Sequence, residues 1–189
     1  MFPTSTFVYT IDHDDRIVQV SDNWLAFAEE NLAADSCHPE KIINRPIWHF
    51  IDGKESLHLY EVVLKKVRDR YARITFPFRC DSPDKRRYMQ LHISPLRNNY
   101  VEFTSQILRE EQRDSIEVLD VTIPRTDQFV KMCCMCKKVV VSENVWVEVE
   151  IAIAELQLFD HHKLPAITHG TCPECFDIMM AEVDKLERS

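Results

Sequence analysis

The chain has 189 residues, 45% of them hydrophobic and 29% charged, an ordinary globular composition with enough apolar material for a sizeable core. It has only two glycines, Gly53 and Gly170, which excludes a glycine-rich phosphate loop or dinucleotide fingerprint. The formal charge of −8 argues against nucleic acid as a partner.

The opening "MFPTSTFVYTIDHDDRI" has no basic n-region, apolar h-region or small-residue cleavage site, so no secretory leader is expected. No apolar run approaches ~18 residues, so no membrane span is expected and the expected compartment is the cytoplasm. There, seven cysteines read as metal ligands or core thiols rather than disulfides.

"FVYTID" (7–12) and "RIVQVS" (16–21) alternate as short strands around the polar turn "HDD". "SDNWLAFAEENLA" then predicts a helix capped by Ser21 or Asp22, with Trp24, Leu25, Phe27, Ala28 and Leu32 on one face. Pro39 and Pro46 punctuate an irregular stretch. A second helix is predicted from Asp52 or Ser56 to about Arg70, with Leu57, Tyr60, Val63, Leu64 and Val67 three or four apart. Three strands follow, at 72–80, 86–96 and 100–111, separated by the turns "DSPDK" and "RNN". Strands, helices, then strands suggest an α+β fold, an antiparallel sheet with helices on one face. The expected organisation is a first domain over 1–115, a connector over 116–130 (itself a possible extra strand) and a cysteine-rich module over 131–189.

That last segment carries the sharpest motif. Cys133 and Cys136 form one C-x-x-C, and Cys172 and Cys175 form another. Two intervening residues let a tight turn aim both sulfurs at one point, and two such turns can build a closed tetrahedral thiolate site, which zinc prefers. The intervening 35 residues exceed the ~15–20 of compact ribbons, but "NVWVEVEIAIAELQLF" can form an element that spans them. A closed four-sulfur site has no open position, so a structural metal is expected, with an iron–sulfur cluster and plain core thiols as alternatives. Cys134 is the spare thiol, expected to pack inward. His169 is a candidate to support the ligands from behind or to substitute for one, and a plain turn histidine is the alternative. Gly170 is expected to supply a positive φ at the second turn.

Two resemblances follow from these residues. "YTIDHDDRIVQVSDNWLAFAEEN", with the later "FPFRCDSPDKRRYMQLHISPL…YVEFTSQILREE", resembles the opening and closing halves of bacterial PAS sensor domains over roughly residues 5 to 111. The tail, with Cys133, Cys136, Lys137, Lys138, Trp146, His169, Gly170, Cys172 and Cys175, resembles a C-x-x-C-K-K…W…H-G-x-C-P-x-C segment appended to some bacterial PAS and signalling proteins. The whole chain is similar to a family of uncharacterised bacterial PAS-like proteins. The resemblance implies a sensory or interaction module with a zinc tail, and pairing of sheets into a homodimer. No kinase, cyclase or helix-turn-helix segment follows in these 189 residues, so output is expected to pass to a signalling protein in trans.

A curved sheet under helices can leave an apolar cavity for a small molecule of unknown identity, with Trp24, Phe27, Trp48, Phe50, Leu59, Phe76, Phe78, Leu91 and Ile93 as candidate walls or plain core. The alternative function is a haem or flavin redox or gas sensor. Haem would need an axial histidine from His49, His58 or His92, and flavin a cysteine from Cys37 or Cys80. The basic strips 65–73 and 84–88 read as solvated surface, with a site for an acidic partner or RNA as the alternative. A metalloenzyme is the least favoured reading. His161 and His162 can bind metal or be solvated, and no G-x-S-x-G or H-E-x-x-H signature occurs.

Overall fold

The computed structural model describes residues 5–158 and 164–187. Strands β1 (Thr6–Ile11) and β2 (Ile17–Val20) form the opening hairpin. Its turn is held by Asp12, whose Oδ1 accepts the backbone N–H groups of Asp14 and Arg16 at 2.9 Å each while Asp15 takes a left-handed conformation. The helices α1 (Trp24–Glu30), α2 (Ala34–Cys37), α3 (Pro39–Ile42) and α4 (Lys54–Arg70) come next, then β3 (Ile74–Arg79), β4 (Lys85–Pro95) and β5 (Val101–Gln112). The five strands pair antiparallel in the order β2-β1-β5-β4-β3.

The alternation read in the 86–96 segment decides which face is covered. Arg87, Met89, Leu91 and Ile93 are buried, whereas Tyr88, Gln90, His92 and Ser94 on the other face are only half-buried. Leu91 and Ile93 join Ile74, Phe76, Val101 and Phe103 against Leu59, Val63, Leu64 and Val67 of α4. Each such fully buried side chain contributes roughly 1.5–3 kcal/mol of burial free energy. The chain is thus an α+β fold with helices on one face of the first sheet, as the order of elements implies. Neither Ser21 nor Asp22 caps α1. Asn23 occupies the cap position, and the Ser21 hydroxyl is drawn between the Val8 N–H and Asn23 Oδ1. Helix α4 starts at Lys54, after Gly53.

A second sheet contains β6 (Arg125–Cys133), β7 (Val139–Ser142), β8 (Val145–Val147) and β9 (Leu164–Gly170), in the order β8-β7-β6-β9. Strand β6 begins at Arg125, inside the segment read as a connector. Strands β6 and β9 are parallel, so the chain must cross over between them. That requirement accounts for the long stretch between the cysteine pairs, which holds β7, β8 and α5 (Val149–Glu155) before β9 returns. Helix α6 (Pro173–Glu187) then leaves β9 and packs on α4 and β3 of the first half.

The two halves are joined by apolar contact and by charge. One hydrophobic cluster runs from the first sheet through α4 to Cys133, Met135, Cys172, Cys175 and Met179, while Val130, Met132, Val139, Val149 and Leu164 belong to a smaller second cluster. At the far end of β3, Asp81 is almost fully buried and paired with both Arg79 and Arg113. Arg79 also reaches Glu148 at 2.7 Å, and Arg86 and Arg113 reach Glu150 at 2.7 and 3.3 Å, so six charged groups clamp the start of α5 to the first sheet. Removing one partner of such a set leaves an uncompensated buried charge. Asp81→Asn is therefore expected to cost roughly 3–5 kcal/mol in denaturant unfolding, far above the ~0.5 kcal/mol of an exposed change such as Asp14→Asn.

Candidate metal centre

The first cysteine pair sits on the turn between β6 and β7. Cys133 ends β6, Lys137 adopts a positive φ of 64°, and the turn is closed by the Cys133 N–H donating to the Lys138 carbonyl at 2.8 Å and the Lys137 N–H donating to the Cys133 carbonyl at 3.1 Å. The second pair follows β9. Pro173 opens α6 with the fixed φ suited to a first helical position, which leaves Cys172 just before the helix and Cys175 in its first turn. Parallel pairing of β6 with β9 sets Cys133 opposite Gly170, so both turns emerge at the same end of adjacent strands. The Cys134 N–H donates to the Gly170 carbonyl at 2.8 Å and extends that alignment one residue further.

The four sulfurs of Cys133, Cys136, Cys172 and Cys175 consequently converge, all within 4.8 Å of one another, in an arrangement that could hold a metal ion. Cys136 Sγ and Cys172 Sγ are 3.7 Å apart, and the Cys172 N–H donates to Cys133 Sγ at 3.4 Å. Cys133 and Cys172 are 0% and 1% exposed, which excludes water from part of the cluster. Lys138 and Glu174, one from each turn, close a 2.9 Å ion pair across its rim.

The electrostatics favour a cation among the sulfurs once more than one of them ionises. Hydrogen bonds from Cys136 and Cys175 pull the Cys133 thiol far below its ordinary range. That same contact with Cys133 pushes Cys136 up to about 12 and Cys175 higher still. Among these three sulfurs, protein groups alone stabilise the Cys133 thiolate and oppose those of Cys136 and Cys175, because like charges at this spacing repel. The N-terminus of α6 supplies some positive potential. A divalent ion is what would let all four ionise together.

His169 is half-buried and is not among the converging ligand atoms. Its imidazole lines a neighbouring cavity, and its pKa is lowered first by desolvation and then by the Lys137 cation. Cys134 is turned away from the cluster, within 3.8 Å of the Ser56 hydroxyl and 3.6 Å of the Thr171 hydroxyl. Gly170 does not have the positive φ expected of it. A Cβ there would lie 2.2 Å from Cε of Lys131, the far end of a side chain that can move aside, and the Gly170 Cα lies beside Gly53. Gly53 is the glycine with positive φ, at 86°, and a Cβ there would lie 2.8 Å from the His169 carbonyl oxygen. The two glycines lie together where the start of α4 meets the end of β9, and Gly53 is the one that the backbone there requires.

The cavity has a volume of about 370 Å³ and lies between the first sheet, the start of α4 and the first cysteine turn. Of the expected walls, Phe50, Phe78 and Leu91 line it, whereas Leu59, Phe76 and Ile93 are fully buried core. Tyr9, Tyr60 and Lys137 line it too, and nothing local in the sequence marks them. None of His49, His58 and His92 reaches this cavity. The first two are exposed, and His92 is on the opposite sheet face, 2.9 Å from Thr75 Oγ1. Cys80 lines it and Cys37 does not. His161 and His162 lie outside the described residues.

The basic strips are largely occupied within the chain. Lys65 pairs with Asp69, Arg68 with Asp15, Arg86 with Glu148 and Glu150, and Arg87 with Glu110. No helix among the described residues is long and apolar enough to cross a membrane. No family model matches this chain, and no curated protein matches it.

Replacing Cys133, Cys136, Cys172 or Cys175 with Ser is expected to cost about 4 kcal/mol or more, about 10 °C in Tm. Cys37→Ser and Cys134→Ser should each stay near 1 kcal/mol. Six equal shifts in thermal melts would contradict the grouping.

Proposed function

We propose that the protein is a cytoplasmic, bacterial, PAS-like sensory or interaction module in which a structural zinc ion organises the C-terminal half, and that it signals to a partner protein in trans. The observation that carries this reading is the four-sulfur cluster next to a cavity under an antiparallel sheet. The donor set fits zinc. Four thiolates at about 2.3 Å from a tetrahedral ion are about 3.8 Å from one another, close to the 3.7 Å between Cys136 and Cys172. Zinc would be held by Cys133, Cys136, Cys172 and Cys175, and it would supply the charge that keeps the four converging sulfurs ionised. With four protein ligands it has no place for substrate, which supports a structural role over a catalytic one.

The strand order β2-β1-β5-β4-β3, with α1 to α4 inserted between β2 and β3, supports the PAS-like reading of the first half. Sensing follows from the cavity, and transmission from the continuity of the core between cavity wall and α6. The half-buried outer face of the sheet is available for a homodimer or another partner.

Native mass spectrometry of unheated protein tests the reading in one step. The expected species carries one zinc ion per chain, and the solution has no visible absorption band. A folded, metal-free species would overturn the zinc assignment, and a Soret or flavin band would move the reading to a cofactor sensor. Absence of both a bound small molecule and any captured protein partner would overturn the signalling role.

A further inference from the structure

The first cysteine turn has two sides. Cys133 and Cys136 direct their sulfurs to the cluster, while Cys134, Met135 and Lys137, interleaved with them, line the 370 Å³ cavity. The Met135 carbonyl is fixed from the sheet side by the Arg79 N–H at 2.7 Å. One short piece of backbone therefore serves as ligand loop for one site and as wall for the other.

The cavity's polar groups are unevenly satisfied. Arg79 is neutralised by Asp81 and Glu148. Lys137 donates to the Cys134 carbonyl at 2.8 Å and has no carboxylate partner among the described residues, leaving two N–H groups. Tyr9 and Tyr60 also line the cavity, and neither hydroxyl has a hydrogen-bond partner among the described residues. Burial raises both phenol pKa values, so both remain donors, and His169 is held towards its neutral form. Phe50, Phe78, Leu91 and Met135 supply apolar surface opposite these donors. Asp52 also lines the cavity, on its exposed side, but forms no ion pair with Lys137 among the described residues. Free donors and a cation without a paired carboxylate beside aromatic walls suit a ligand with a flat apolar body and a small anionic end.

We propose that this cavity binds a small arylcarboxylate, its carboxylate on Lys137 and the tyrosine hydroxyls, and that its occupancy and metal binding at the cysteine cluster strengthen one another. The inference rests on the metal-centre reading above. Linkage is reciprocal: a metal that orders the turn completes the cavity wall, so a ligand that holds the wall must hold the metal more tightly by the same factor.

Phenylacetate and its neutral counterpart phenylacetamide are suitable probes, titrated calorimetrically into the zinc-loaded full chain. Phenylacetate is expected to bind saturably and about tenfold or more tighter than the amide. Lys137→Asn, which keeps a residue tolerant of the left-handed turn, should abolish that preference while zinc stoichiometry is retained. Tyr60→Phe should weaken the acid by about threefold or more. Saturating phenylacetate should lower the zinc dissociation constant, measured against a competing chelator, by about fivefold or more. Equal binding of acid and amide, no saturable binding up to about 10 mM, or an unchanged zinc affinity with the acid bound would each overturn the proposal. If Lys137→Asn itself loses zinc, the acid-to-amide ratio on the unaltered chain and the Tyr60→Phe variant decide. A chain that binds no zinc at all refutes the metal reading, whereas stoichiometric zinc without phenylacetate binding refutes only this inference.

Discussion

Four sulfur atoms held within 4.8 Å of one another cannot all carry charge without a cation between them. Much of the C-terminal half is arranged to create that situation. Parallel pairing of β6 and β9 brings two turns to the same end of the sheet, the β6–β7 hairpin presents Cys133 and Cys136, and the first turn of α6 presents Cys175. Adjacent parallel strands require a long crossover, so assembling the cluster costs the loop closure between β6 and β9, a cost that metal coordination would offset.

The cluster is not an isolated appendage. Cys133, Cys172 and Cys175 belong to the same apolar cluster as Leu59, Val63, Phe76 and Phe103 of the first half. The glycine pair at the α4–β9 contact and the Asp81-centred charge clamp tie the halves at two further places. A disturbance at the cavity therefore has short physical routes to α6, through Met135 and the cysteine turn or through Tyr60 and α4.

Much of this was legible in the residues. Alternation over 86–96, three-and-four spacing over 57–67 and the turn residues Asp15, Asn98 and Asn99 each record a local backbone preference, and the elements form where those preferences place them. The two C-x-x-C pairs are similarly local, since spacing alone aims each pair of sulfurs. Long-range features left no such trace. The parallel partner of β6 is about forty residues away, and the Arg79–Glu148 and Arg113–Asp81 pairs join residues whose neighbourhood only the tertiary fold defines. Lys137 and Tyr60 read as a basic turn residue and a helix-face aromatic, and only the packing of the cysteine turn against the sheet makes them cavity walls. Gly170 shows the opposite error: a glycine beside a turn suggests a positive φ, whereas here the positive φ and the backbone clash belong to Gly53, which lies against it.

X-ray absorption at the zinc edge of the purified, unheated protein tests the central claim most directly. The account predicts a single shell of four sulfur scatterers at about 2.3 Å, with no nitrogen or oxygen in the shell. A shell containing nitrogen or oxygen, fewer than four sulfurs, or no zinc edge would contradict it.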